Sequence, residues 1–320
     1  MIAMREDAVK IFFLGVEVYG FGLYTAMGAA LGLVVLSLLM RREKWDGGIA
    51  ALTGVLSLVL GFLVSRLFFG LMDESLGRPL PPWAMLRFNS GGYSMIGALL
   101  GACMGGILSA KTMKKPAARM LDLLAPALLL FVACERLGEG YIEDFGVSRT
   151  LTGSLLEGSF LAVESGYGWR LATYQLESFA ALVLALLLLR DLNRKHRAGD
   201  TFVLFLLLYG GVQVLLESLR YDQHMTVKAF VKLQQIMDMM LLGAGVITVA
   251  VRAWNSKRRL AVISLIALAL SVGIGVAIEF MIDRTQISHY VLYLCFLIDM
   301  AVPVWLGIKL RKEEREHHGS

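Results

Sequence analysis

The sequence predicts an all-α, polytopic membrane protein with about nine transmembrane helices, a seven-span core followed by two C-terminal spans. Three observations carry this expectation. Of 320 residues, 57% are hydrophobic and 18% charged, with a mean hydropathy of +0.66. A soluble domain holds roughly 45–50% apolar and about 25% charged residues, so most of this chain requires lipid around it. Apolar runs of about 20 residues, the length that crosses a hydrocarbon core, recur along the chain, and basic residues collect in every second connection between them. This composition excludes disorder, coiled coil, collagen and small disulfide scaffolds. The net charge of +5 does not argue for nucleic acid as a partner, because membrane proteins concentrate Lys and Arg in cytoplasmic loops.

The first span is expected at about 12–40. It reads as a retained span, since no basic n-region with a short apolar stretch and small-residue cleavage site accompanies it. The second is expected at 47–71 and the third at 91–110, where Gly97, Gly101, Gly105 and Gly106 suit close helix packing in lipid. The fourth, 120–137, is followed by the longest connection, 138–173. Further spans are expected at 174–190, 201–219, 233–251, 260–282 and 290–308. Each must satisfy its backbone internally, so helices are the natural form, and no segment reads as a strand. The organisation expected is a transmembrane core over 1–252, including the external loop 138–173, and a two-span extension with a basic tail over 253–320.

Basic residues set the orientation. Arg41, Arg42 and Lys44 follow span one, and Lys111, Lys114, Lys115 and Arg119 follow span three. Arg190, Arg194, Lys195 and Arg197 follow span five, and Arg252, Lys257, Arg258 and Arg259 follow span seven. Lys309, Arg311, Lys312 and Arg315 lie in the tail. Nineteen of the 31 Lys and Arg thus fall in alternate loops, which the positive-inside rule makes cytoplasmic. The N-terminus is then outside and the C-terminus inside.

Ionisable residues at membrane depth are costly and need a reason. Arg66 lies in span two, Glu135 and Arg136 end span four, Glu177 opens span five, and Glu217 and Arg220 end span six. All point toward the external half of the membrane. Single charges at span ends snorkel to the interface without chemistry, but four spans delivering charge to one side argue for a shared site. There an Arg fork holds a phosphate and a carboxylate steers or accepts a proton. The long external loop adds Glu139, Glu143, Asp144, Glu157 and Glu164 against Arg149 and Arg170. Cys103, Cys134 and Cys295 lie in apolar runs without C-x-x-C spacing, and the five histidines show no ligand spacing, so neither a disulfide framework nor a metal site is expected. No G-x-S-x-G or H-E-x-x-H occurs.

Several segments, in order over roughly 15–252, together resemble the prolipoprotein diacylglyceryl transferases of bacterial membranes. Phe21-Gly22-Leu23-Tyr24 resembles the family's Tyr-Gly-Leu, and Ser65-Arg66-Leu67 its Ala-Arg-Leu. Gly91-Gly92-Tyr93-Ser94-Met95-Ile96-Gly97 resembles its Gly-Gly-x-Ser-Phe-His-Gly. Asp122 to Pro126 is close to Asp-x-x-Ala-Pro, and Glu135-Arg136-Leu137-Gly138-Glu139 stands where the family has Gly-Arg-x-Gly-Asn. Tyr174-Gln175-Leu176-Glu177 resembles Pro-x-Gln-Leu-Tyr-Glu; Tyr209-Gly210 with Glu217 and Arg220 resembles Tyr-Gly-x-x-Arg-x-x-x-Glu-x-x-Arg. Gln235-Ile236-Met237 is similar to the Gly-Gln-x-x-Ser that opens the seventh span.

The resemblance implies transfer of a diacylglyceryl group from phosphatidylglycerol to the thiol of a lipobox cysteine in a prolipoprotein signal peptide. Glycerol phosphate leaves, no metal or cofactor takes part, and the enzyme sits in the bacterial inner membrane. Arg136, Glu217 and Asp144 are the implied catalytic residues; Arg66, Glu139, Glu177, Gln213 and Tyr24 are the implied substrate contacts. The chain departs from the family at Ile96, where a His is expected, and at Gln213, where an Arg is expected. Glu139 replaces an Asn, Asp144 aligns with a Glu, and Phe21 replaces a Tyr for which Tyr19 and Tyr24 are substitutes. Spans 260–282 and 290–308 have no counterpart in a seven-span core. Two further readings stay open on the residues. One is a retasked, non-catalytic lipid-binding protein, motivated by Ile96 and Gln213. The other is a small-molecule transporter, motivated by nine spans with Asp238 and Asp299 inside them, although inverted repeats and broken helices are not evident.

Overall fold

Nine helices occupy the nine predicted spans in a computed structural model that describes residues 10–13, 15–72, 92–142, 145–151, 156–165, 168–194, 197–221, 227–228 and 231–319. They are α1 (Gly20–Arg42), α2 (Gly47–Met72), α3 (Met95–Thr112), α4 (Ala117–Glu139), α5 (Thr173–Leu192), α6 (Asp200–Leu219), α7 (Leu233–Arg252), α8 (Arg258–Arg284) and α9 (His289–Gly319). Eight are long and apolar enough to cross a membrane; α5 is the exception. It opens on the polar Thr-Tyr-Gln-Leu-Glu-Ser and closes on Arg190-Asp191, which confines its uninterrupted apolar stretch to residues 179–189. Large apolar side chains such as Leu31 and Val34 of α1 and Val55 and Phe62 of α2 are exposed, as lipid-facing surfaces are.

Strands are present, contrary to the sequence expectation. Three antiparallel hairpins are described: β1–β2 (Lys10–Phe13, Val16–Tyr19), β3–β4 (Ala162–Ser165, Gly168–Leu171) and β5–β6 (Val227–Lys228, Val231–Lys232). The first pairs Lys10 with Tyr19 and Phe13 with Val16. Its alternating Val-Glu-Val-Tyr run is a strand pattern of period two, so the first helix begins at Gly20 rather than near residue 12. Each hairpin is too short to show in a sequence scan for 20-residue runs, and all lie outside the helices.

The chain divides into two compact units, Met1–Leu192 with Leu219–Thr226, and Asn193–Ser218 with Val227–Ser320. In the first, α2 packs most extensively on α3, α1 on α4, and α4 on α5. Small residues permit this closeness. A Cβ at Gly28 of α1 would lie 2.8 Å from Phe131 O of α4, and one at Gly105 of α3 would lie 2.5 Å from Ser57 N of α2. Between the same helices Thr53 Oγ1 and Ser109 Oγ share a hydrogen bond at 2.7 Å, and Ser57 Oγ donates to Ala102 O at 3.0 Å. Ser178 Oγ of α5 likewise donates to Ala133 O of α4 at 2.6 Å. Such bonds satisfy hydroxyls that have no water available.

The second unit has its own apolar core. Leu207 and Val214 of α6, Leu242 and Val246 of α7, Ile278 of α8, and Phe296 and Met300 of α9 pack together. At the end carrying the basic loops, the fully buried Asp200 opens α6. Arg252 Nη1 and Arg311 Nε each lie 3.4 Å from its carboxylate, and Arg315 also donates to it. An acidic residue at a helix N-terminus and a basic residue in the last turn of a helix, Asp200 on α6 and Arg252 on α7, both complement the helix dipole, so this cluster ties the start of α6, the end of α7 and the C-terminal half of α9 with one carboxylate.

Close approach at Gly105 makes a specific demand. Gly105→Ala forces a methyl into the α2 backbone and costs about 1–3 kcal/mol, whereas Gly22→Ala meets nothing within 4 Å. Thermal unfolding in detergent is expected to show a lowered midpoint for Gly105→Ala alone; an unchanged midpoint would refute the tight α2–α3 contact.

Candidate functional site

Charges converge where α4 ends and α5 begins. Arg136 lies in the last turn of α4 and Glu139 is its final helical residue, one turn on; an i,i+3 spacing brings the two side chains onto one face. Glu177 sits just inside α5. Arg220 follows directly on the last residue of α6. All four belong to the first compact unit, and none is more than 4% exposed.

Their contacts form a closed network. Arg136 donates from Nη1 to Glu139 Oε1, and its Nε lies 2.8 Å from Glu177 Oε2. Arg220 Nη1 lies 3.1 Å from Glu139 Oε2 and 3.3 Å from Glu177 Oε1. Each guanidinium therefore meets both carboxylates, and each carboxylate meets both guanidiniums. Glu135 stands at the margin, its Oε2 3.9 Å from Arg136 Nε. Arg136 suits the C-terminal end of α4 and Glu177 the N-terminal part of α5 for the same dipole reason that governs Asp200.

The connection between α4 and α5 roofs this network. Tyr174 N and Thr173 Oγ1 donate to Gly146 O at 2.9 and 2.6 Å, while Tyr221 N donates to Val147 O at 2.8 Å. Ser148 N and Leu151 N donate to Leu171 O and Trp169 O, which adds an edge to the β3–β4 hairpin. Phe145 presents its ring 5.2 Å from the Arg220 guanidinium. At Gly146 the backbone φ is +64°, and a Cβ would lie 2.6 Å from Glu139 Oε2, so both conformation and space require glycine.

Of the residues singled out in the sequence, Arg136, Glu139 and Glu177 are thus brought together. Arg220 completes them; the sequence showed it beside Glu217 at a span end, but nothing there told that its partners lie on α4 and α5. Arg66, 1% exposed, donates from Nη1 to Gly92 O at 2.8 Å and lies within 6 Å of the Phe69 and Tyr93 rings. Burial pushes the Tyr93 phenol above its usual pKa, and the charge of Arg66 opposes the rise. Tyr24 of α1 packs its ring 5.3 Å from that of Tyr141. Gln213 and Glu217, both 2% exposed, lie on α6 in the second unit. Asp144 falls outside the described residues.

A network of paired, buried Arg and Glu can do two things. It offers guanidinium donors in forked geometry to a phosphate, and it supplies carboxylates to accept a proton once an anion takes their place on the guanidinium. Comparison with known proteins bears on which chemistry this is. A family model described as prolipoprotein diacylglyceryl transferase matches residues 8–251. The chain is similar to the phosphatidylglycerol–prolipoprotein diacylglyceryl transferase of Bacillus cereus, 27% identical over 259 residues that cover 77% of this chain and 92% of that one. It is 26% identical over 257 residues to the enzyme of the same description from Clostridium novyi, covering 77% and 95%. With that from Staphylococcus xylosus the identity is 25% over 244 residues, covering 74% and 86%.

Removing one partner from a buried ion pair strands the other charge, at about 3–5 kcal/mol. Glu177→Leu is therefore expected to lower the unfolding midpoint in detergent by about 10 °C, and Glu177→Gln, which keeps an acceptor oxygen, by less. Equal midpoints for wild type and Glu177→Leu would show the network to be energetically idle.

Proposed function

This chain belongs to the prolipoprotein diacylglyceryl transferase family, and we propose that it transfers the diacylglyceryl group of phosphatidylglycerol to the thiol of a lipobox cysteine in a prolipoprotein. The observation that carries the reading is the buried Arg136–Glu139–Glu177–Arg220 network, which falls inside the matched region. Neither the lipid-binding nor the transporter alternative is favoured by that family membership.

In the transfer, the cysteine sulfur attacks the glyceryl carbon that bears the phosphate. A carbon–sulfur bond forms and the carbon–oxygen bond breaks, its electron pair leaving with glycerol phosphate. The thiol proton passes to a carboxylate. Negative charge grows on the leaving phosphate, so the catalytic contribution of Arg136 is electrostatic, from a donor already held in place. Glu139 and Glu177 hold the two guanidiniums until the lipid phosphate competes for them, and Arg220 shares that anion. With Ile96 unable to carry a proton, the base is a carboxylate: Glu217 and Asp144 are the candidates outside the network, and Glu139 or Glu177 within it once the phosphate has displaced it from a guanidinium. Arg66, Gln213 and Tyr24 contribute to lipid and peptide binding. The transferase core runs over 1–252 and the extension over 253–320. The enzyme resides in the bacterial inner membrane with its N-terminus outside; in support, Arg136 lies at the end of α4 remote from the basic connection that precedes that helix.

Purified protein in phosphatidylglycerol vesicles is expected to convert a lipobox peptide to its thioether-lipid form, read by mass. Arg136→Ala is expected to lower the rate by about a hundredfold or more; undiminished conversion would refute its phosphate role. For the orientation, a fluorescent protein fused after Ser320 should fluoresce in cells, and alkaline phosphatase fused there should be inactive; the reverse pattern inverts the topology.

A further inference from the structure

Consecutive in the chain, α1 and α2 each pack chiefly on another helix, α4 and α3 respectively. The seam left between them holds a cavity of about 370 Å³, wholly within the first unit. That volume falls among small-molecule sites, at about 300–1,000 Å³. Most of the wall is apolar, with Leu33 and Met40 contributed by α1 and Ala51, Val55 and Leu58 by α2. Val55 and Leu58 are exposed, so the wall continues into the surface that meets hydrocarbon. Ser37, also in the wall, returns its hydroxyl to Leu33 O at 2.7 Å.

Charge enters at one end only, where α1 turns into α2 and Arg41, Trp45 and Asp46 line the cavity. The backbone fixes this end. Lys44 N donates to Arg41 O and Trp45 N to Met40 O, both at 3.0 Å, the paired bonds of a Schellman turn. Lys44 takes the left-handed position of that turn at φ +56°, where glycine is the usual choice. A lysine kept there against its backbone preference implies a use for its ammonium. The acidic side chains of the turn are already engaged. Glu43 accepts from Arg119 Nη2 at 2.6 Å, and Asp46 Oδ1 accepts from Gly48 N at 2.7 Å. Lys115 adds a further cation, its Nζ 5.5 Å from the centre of the Trp45 ring. Arg41 and Lys44 are exposed and meet no carboxylate among the described residues. An apolar slot between membrane helices, closed at its interfacial end by cations and an indole, complements a phospholipid that carries net negative charge.

We propose that the α1–α2 groove binds an anionic phospholipid, its phosphate held by Arg41 and Lys44 and one acyl chain lying along Leu33, Ala51 and Val55. This site is separate from the charge network. Glu43 ties the turn to Arg119 at the start of α4, and Arg136 lies about 25 Å further along that helix at about 1.5 Å per residue. The lipid held here is a resident that fills the seam and does not react, so the inference stands apart from the transferase reading.

The test is quenching of Trp45 fluorescence by phospholipids brominated on their acyl chains. Full-length protein is placed in phosphatidylcholine vesicles, and the emission that Trp45→Phe removes is assigned to this ring. Brominated phosphatidic acid is expected to quench it with an apparent affinity about fivefold or more above that of brominated phosphatidylcholine, the worth of one hydrogen bond. Arg41→Gln combined with Lys44→Gln is expected to bring the ratio near one, and Lys44→Arg, which keeps the charge, to preserve it. Ala51→Phe fills the slot and leaves both cations in place, so it separates a held acyl chain from a headgroup merely drawn to a basic surface; it too should bring the ratio near one. Soluble glycerol phosphate is expected to leave the wild-type ratio unchanged. A preference that survives the double variant or Ala51→Phe overturns the proposal, as does one that glycerol phosphate abolishes. Equal quenching by the two lipids in the wild type overturns it as well, and so does quenching by neither, which would mean that protein covers the groove.

Discussion

A guanidinium inside a bundle bounded by hydrocarbon persists only where its charge is met. Arg136 and Arg220 satisfy this condition through the same two carboxylates, Glu139 and Glu177. Desolvating any one of the four alone would cost several kcal/mol, so the network constrains everything around it. The end of α4 must meet the start of α5 at a fixed register, and the residue after α6 must return to both. Gly146 must be glycine, because the strand-like segment it carries crosses directly over Glu139. The site is thus a consequence of charge compensation as much as a place for chemistry.

Chemistry uses the same physics. Two guanidiniums balanced by two carboxylates bind a phosphate only by exchange, and each carboxylate displaced by an anion becomes available to a proton. A network whose charges balance one another, and which an anionic lipid opens by exchange, fits a transferase that acts on such a lipid. Glycines and hydroxyls along α2, α3 and α4 provide the packing against which such a site can be held. The second unit repeats the logic with fewer charges: Asp200 compensates several Arg at one end, and Glu279 accepts from the amide of Gln235 at the other.

Eight of the nine described helices were legible because a run of about 20 apolar residues has few alternatives to a membrane helix. The hairpins were not. Residues 10–19 continue into an apolar span, and only the period-two alternation of Val16 to Tyr19 marks the change. In the site, Arg136, Glu139 and Glu177 stood out as charges beside apolar runs, each with a place in a family-like motif. Arg220 carried the same mark, yet its partners are 43 and 81 residues away in the chain, and no local pattern encodes that distance. Gly146 and Phe145 gave no sign of a role, since glycine and phenylalanine in a long loop are unremarkable until the loop is folded.

What the sequence determined by itself is the membrane class, the helices, the alternation of basic and non-basic loops, and the short list of charges that need an explanation. Each follows from composition or from periodicity, which are properties of neighbouring residues. Which charges neutralise one another, which carboxylate meets the amide of Gln235, and which backbone passes over Glu139 were decided by the tertiary structure alone. Those pairings join residues remote in sequence, and they are selected by the cost of leaving any of them unmet in a medium without water.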